Sequence, residues 1–510
     1  MTKNIILCAD GTGNKGGYTP DSNVYKIYNA VEIHDTSTPQ YTYYDNGVGT
    51  STNKYWRAIS GAFGMGIKQN IMDLYTFLAL HYEPGDRIYL FGFSRGAATI
   101  RAFCGFIATT GLVKGKGLSD EKLIQYTKDA FNAYQHHKKD PQTAKKFANH
   151  SNSHNIIDIH FVGVWDTVAA LGFPTRTDKS SASLFILDLA FIALEKLLNI
   201  FWPHLFYRYE LTANIQHAFQ ALAIDDERTA FWPMVWDETR VDIKKIEQVW
   251  FAGMHSNVGG GYERAGIANV TLHWMMLRAQ KYGLDFKDNK IAETYADSNI
   301  HGRLYNSRDG LAVYYRYHPR NIQQLCKNKL KDNIKIHCST LERMKKRTAN
   351  YAPVMLPDEF NIVQSALNAE SFNINIKDKK PHNILRRIIN KNIAARTHLY
   401  GIFIDISLLA GLYIWHLSNT KIISPQNTSQ SLFDIIRDTN ATKLFNRAIN
   451  DHPIQLFLFI LFSFFMYLLR RFYHHKMHRA AEKIRQIFIS KIETDGFKKI
   501  AKKKNNLNRP

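Results

Sequence analysis

An apolar run, Arg87-Ile88-Tyr89-Leu90-Phe91, leads straight into Gly92-Phe93-Ser94-Arg95-Gly96, and an alanine-rich helical pattern follows over 97–107. Strand, G-x-S-x-G and helix in that order restrict the folds open to this chain. Small residues on either side of the serine allow a tight strand-to-helix turn, from which the serine Oγ projects at a sheet edge. Such a turn needs a sheet to stand on, and the flanking sequence supplies one. Ile5-Ile6-Leu7-Cys8 and the stretches 156–165 and 246–251 read as further buried strands, and 269–282 reads as a helix. Strands alternating with helices predict an α/β fold, a mostly parallel sheet with helices on both faces.

A serine nucleophile needs a base, and the base needs an acid to orient it. Asp166 closes the strand-like run in Val164-Trp165-Asp166-Thr167-Val168. His255 follows the next one, in the glycine-rich stretch Gly253 to Gly261. The order Ser94, Asp166, His255 is the chain order of α/β-hydrolases. Asp225 and Asp237 are competing acids. An oxyanion hole would take one backbone N–H from Arg95 and another from Gly11 or Thr12, in the loop after the first strand. Asp10-Gly11-Thr12 after a first strand also invites a phosphatase reading. That chemistry needs an aspartate two residues before Asp10, where this chain has Cys8.

The four cysteines, Cys8, Cys104, Cys326 and Cys338, are scattered without metal-ligand spacing, so they read as reduced thiols. No metal or organic cofactor is called for. The net charge of +22 points to an anionic partner. Much of it flanks two apolar stretches near the C-terminus. Residues 399–417 carry one acid, Asp405, and residues 453–469 carry no charge. Each is long enough, at roughly 17–20 residues, to cross a bilayer core. The basic flanks therefore predict a membrane with anionic lipid head groups, not nucleic acid, as the partner. The positive-inside rule puts both termini on the cytoplasmic face. The expected organisation is a catalytic domain over 1–360, a basic linker over 361–398, a two-helix membrane hairpin over 399–469 and a basic tail over 470–510. The apolar insertion 184–206 reads as a lid or membrane-facing cap, or as a buried helix.

Several stretches resemble the catalytic domain of type VI secretion phospholipase effectors: Asp10-Gly11-Thr12-Gly13-Asn14, Tyr44 to Thr50, Gly92 to Ala97, Gly163 to Val168, His217 through Arg228, and Trp250 through His255 to Tyr262. The resemblance covers roughly the first 360 residues. It implies the same Ser94–Asp166–His255 triad, ester hydrolysis of phospholipids, and a secretion apparatus or immunity protein as a partner. One departure is Asn257, where the family usually has Asp. A soluble-ester esterase and a non-catalytic membrane scaffold are the rival expectations.

Overall fold

The computed structural model describes residues 2–34, 36–47, 66–155, 157–168, 206–240, 245–366, 371–376, 380–420 and 453–507. A nine-stranded sheet runs through it. Its strands are β1 (Asn4–Ala9), β2 (Gln40–Asp45), β3 (Arg87–Phe93), β6 (Ile159–Trp165), β7 (Ile215–Ala223), β8 (Lys245–Phe251), β9 (Lys335–His337), β10 (Glu359–Val363) and β11 (Phe372–Asn375). Two short strands, β4 (Leu112–Val113) and β5 (Ser153–His154), pair apart from it. The order across the sheet is β11-β10-β9-β8-β7-β6-β3-β1-β2, parallel throughout except for the antiparallel edge strand β11.

Alternation along the strands sorts the core. In β1, Ile5, Leu7 and Ala9 pack on one face, while Ile6 and Cys8 pack on the other. In β3, Ile88 and Leu90 separate in the same way from Tyr89, Phe91 and Phe93. Successive strand residues point to opposite faces, so a strand covered on both sides is apolar without interruption. The first face receives α2 (Ile67–His81), α3 (Arg95–Thr110) and α4 (Asp120–His136). The second receives α1 (Asn23–Ala30) and α7 (Gly266–Lys281). Between these come α5 (Pro141–Ala148) and the short α6 (His255–Gly259), and α8 (Cys338–Lys345) follows β9.

Strands β2, β7 and β9 to β11 are absent from the sequence reading. In β7 the apolar pattern is broken by Gln216, His217 and Gln220. Gln220 is nonetheless fully buried, because Thr167, Gln248 and the Met234 carbonyl satisfy its amide. The sheet also passes the expected domain end at 360, since β11 lies beyond it. Of the insertion 184–206, only Phe206 is among the described residues, and it packs on Phe131 and Tyr134.

The C-terminal third differs most from expectation. Residues read as linker and tail are helical: α9 spans Lys380–Thr420 and α10 spans Pro453–Leu507. These helices pack on one another, and they complete a third core with the β8–β11 end of the sheet. Ile389 and Ile393 of α9 join Met477, Ala480, Ala481, Ile484 and Phe488 of α10 around Phe360 and Ile374. Helical spacing hides this apolar stripe among basic residues. Several of those basic residues are tethers rather than a solvated fringe. Arg386 pairs with Asp358 and Arg396 with Glu227, while Arg485 donates to the Met344 carbonyl. The apolar stretches themselves stand out from the core. Leu408, Leu409, Leu412, Ile454, Phe457, Leu461 and Phe464 are all exposed, Ile454 by 71%.

Candidate active site

The chain leaves β1 for β2 on one side and returns to β3 on the other. The loops after β1 and β3 therefore part at a crevice, where open α/β sheets place their sites. Ser94 sits between β3 and α3 with φ 58° and ψ −123°, a left-handed conformation for a non-glycine residue. Such backbone costs about 1–3 kcal/mol and persists only when its surroundings impose it. Gly96 permits the close packing around this turn: a Cβ at that position would stand 2.2 Å from the Ala9 carbonyl oxygen, so only glycine lets α3 approach β1.

Asp166 follows β6, and His255 opens α6 just after β8. The Ser94 hydroxyl lies 2.7 Å from His255 Nε2, and His255 Nδ1–H donates to Asp166 Oδ2 at 2.5 Å. All three side chains are buried, and Phe93 and Phe231 pack against the imidazole. Burial pushes the His255 pKa below its ordinary value, although the Asp166 hydrogen bond works in the opposite direction. The ring is thus neutral at pH 7, with Nε2 open to a proton. Burial alone would raise the Asp166 pKa, but the Arg320 guanidinium and the His255 bond hold it well below the usual carboxylate range.

Arg320 is absent from the sequence reading. It is fully buried and donates to Asp166 Oδ1 at 2.7 Å and to Oδ2 at 2.8 Å, and also to the Ala223 and Phe231 carbonyls. Ala223 N–H adds a third donor to the carboxylate at 3.0 Å. No sequence signal pairs two residues 154 positions apart. Asp226 forms a further support. It accepts two bonds from the Arg228 guanidinium and one from the His255 amide.

The competing acids have other partners. Asp225 accepts from the Gly253 amide and the Tyr351 hydroxyl, and burial raises its pKa to about 6. Asp237 turns to Thr239 and Arg240. Asn257 holds its own loop, accepting from the Tyr305 amide and donating to the Arg303 carbonyl.

The loop after β1 reaches the serine closely. A Cβ on Gly11 would lie 2.9 Å from Phe93 Cδ1 and 3.2 Å from Ser94 Cβ. The Gly11 amide, however, donates to Asp10 Oδ1 at 2.6 Å. Asp10 is buried and also accepts from Asn14, Ser22 and Tyr44, so it braces this loop. Of the two loop amides expected to face an oxyanion, Thr12 is therefore the one that meets no acceptor among the described residues. The Arg95 amide, in the first turn of α3, has no helical acceptor of its own.

A serine, a histidine and a buried aspartate hydrogen-bonded in series at the carboxyl edge of a parallel sheet form the arrangement of α/β serine hydrolases. The family model described as "T6SS, Phospholipase effector Tle1-like, catalytic domain" matches residues 3–278, and the chain belongs to that family. An uncharacterized protein of Saccharomyces cerevisiae is 34% identical over 192 residues, which are 33% of this chain and 27% of that protein. This chain therefore spans about a quarter of the yeast relative. A crystal structure of an uncharacterized protein from Pseudomonas aeruginosa aligns at 14% identity and a TM-score of 0.35, covering 79% of this chain and 59% of that one. A Tle1 effector bound to the VgrG spike of the type 6 secretion system aligns at 14% identity and a TM-score of 0.30, covering 62% and 78%.

Proposed function

We propose that the chain is a membrane-anchored serine esterase that cleaves acyl ester bonds of phospholipids. The observation that carries the reading is the hydrogen-bonded series Ser94 Oγ, His255 Nε2, His255 Nδ1 and Asp166. In this reading Ser94 attacks the acyl carbonyl while His255 takes its proton. Asp166, held anionic by Arg320, supports the imidazolium that forms. The Arg95 and Thr12 amides face the oxyanion. His255 then returns the proton to the departing lysolipid oxygen, and a water molecule, activated by the same imidazole, hydrolyses the acyl-enzyme. Phospholipid as the substrate class rests on family membership.

The exposed apolar belt of α9 and α10 supports membrane anchoring. Burying side chains such as Leu409 and Phe457 in hydrocarbon removes large apolar surfaces from water, at roughly 25 cal/mol per Å2. Both helices are long and apolar enough to cross a bilayer, and the apolar window of α10 is almost wholly exposed. The basic residues at the foot of the hairpin favour the cytoplasmic leaflet, with both termini on that side. A secretion apparatus as partner rests on the family description alone.

Expressing cells provide the test. Lipid extracts should show lysophospholipid and free fatty acid with the native chain and neither with Ser94→Ala at equal protein level. Lipolysis in the Ser94→Ala cells equal to native would exclude Ser94 as the nucleophile. Carbonate extraction should leave the full chain in the membrane pellet. Release into the wash would end the anchoring reading while leaving the esterase reading standing.

A further inference from the structure

A large cavity lies apart from the triad, and none of Ser94, Asp166 or His255 lines it. It holds about 1180 Å3 between loops of the catalytic domain and the part of α10 that follows its apolar stretch. Seven arginines and four histidines line it, against three carboxylates. Those carboxylates are already engaged. Glu227 pairs with Arg396, Asp225 accepts from Gly253 and Tyr351, and Asp309 accepts from Asn306. Arg308, Arg343 and Arg396 are 4%, 1% and 4% exposed and donate to the Val313, Ile300 and Gly302 carbonyls and to Glu227 and Tyr317, so they are fixed charges in the cavity wall. Arg470 and Arg471 enter from α10 as the first charges after its apolar run. A concave site with one sign of charge and low-dielectric walls focuses its field on an anion. Guanidinium forks match phosphate oxygens in pairs.

The cavity also has an apolar annex. A pocket of about 260 Å3 opens between α9 and α10, walled by Leu399, Tyr400, Phe403 and Met466. Arg308, Arg396, Tyr467 and Arg470 line both spaces. A soluble phosphate compound would occupy the basic cavity and leave the annex empty. A lipid would use both.

We propose that this is a binding site for an anionic phospholipid distinct from the substrate in the catalytic crevice. Its head-group phosphates lie among the arginines, and one acyl chain runs into the annex between the helices. The site rests on the membrane reading of α9 and α10, but not on ester hydrolysis.

The test uses the full chain carrying Ser94→Ala, so that the lipid probes stay intact, purified in detergent and titrated with three probes: phosphatidylinositol 4-phosphate, phosphatidylcholine, and water-soluble inositol 1,4-bisphosphate. The phosphoinositide should bind at least about tenfold more tightly than either of the others, as expected for roughly 1 kcal/mol per basic residue near an anionic head group. Arg470→Gln/Arg471→Gln changes two residues outside the core, so its fold should hold. At the same value per residue it should weaken phosphoinositide binding roughly 30-fold. Ser463→Phe fills the annex, and should reduce lipid affinity to that of the soluble head group without changing the latter. Equal binding of phosphoinositide and phosphatidylcholine overturns the proposal, as does unchanged affinity in the double variant. Equal binding of lipid and soluble head group also overturns it, by making the ligand a free phosphate compound. Flotation with phosphatidylcholine vesicles is scored separately. Failure to float refutes the anchoring reading, whereas the detergent titration judges the site itself.

Discussion

Replacing Arg320 by methionine keeps much of the buried volume and removes the cation that faces Asp166. In the native protein both carboxylate oxygens accept from Arg320, at 2.7 and 2.8 Å, and neither side chain is exposed. Removing one partner of a buried pair costs about 3–5 kcal/mol. The Ala223 and Phe231 carbonyls lose a donor as well, which places the expectation at the upper end. The sign of the pH effect also reverses. The folded pKa of native Asp166 is depressed, so its stabilisation is present above the unfolded value of about 3.9 and is lost as pH falls through the folded value. Without Arg320, burial dominates and raises the folded pKa. Stability then declines as pH rises from about 3.9 toward that new value. On the proposed mechanism, a carboxylate that takes up a proton more readily supports the imidazolium less well, and loss of a triad carboxylate costs up to about 10⁴ in rate. Urea unfolding near pH 7 and the rate of fluorophosphonate labelling at Ser94 report the two effects. Arg320→Met should be less stable by about 3–5 kcal/mol and label at least about 100-fold more slowly, within the range set by that upper limit. Arg320→Lys, which keeps the charge, should recover part of both. Wild-type labelling in Arg320→Met, with unfolding unchanged within about 0.5 kcal/mol, would refute the reasoning, since that is the scatter of ordinary surface substitutions.

The His255 pKa is pushed down by burial, so the labelling rate should stay flat as pH falls through 6.5 and drop only below it, as the ring protonates. A half-maximum at or above 6.5 in the pH profile would contradict a buried, neutral base. Gly11→Ala places a methyl 2.9 Å from Phe93 and 3.2 Å from Ser94 Cβ. The loop carrying Thr12 must then shift. Loss of one oxyanion donor costs about 10²–10³ in turnover, so a fall of at least about tenfold is expected, with an unchanged circular dichroism spectrum. Full turnover in that variant would remove Thr12 from the proposed oxyanion hole.

Local sequence was enough to locate the serine turn, because its requirements are local: an apolar strand, small flanking residues and a helix that starts at once. Asp166 and His255 were legible for a related reason, since each follows a buried strand and strand ends in a parallel sheet share one edge. Strand β7 was not legible, because Gln220 is made tolerable only by Thr167 and Gln248 across the fold. Nor was Arg320, whose role depends on bringing together residues far apart in sequence. The basic C-terminal third shows the same limit. Charge and hydropathy marked two apolar spans between basic flanks, but the stripe from Met477 to Phe488 became core only when α10 met β10 and α9. Composition reports how many charges a segment carries. Only tertiary packing decides which of them face solvent, which tether a helix as Arg386 and Arg485 do, and which converge on a cavity as Arg308, Arg396 and Arg470 do. The physical reason is that burial and pairing depend on neighbours in space, and a linear pattern specifies only neighbours along the chain.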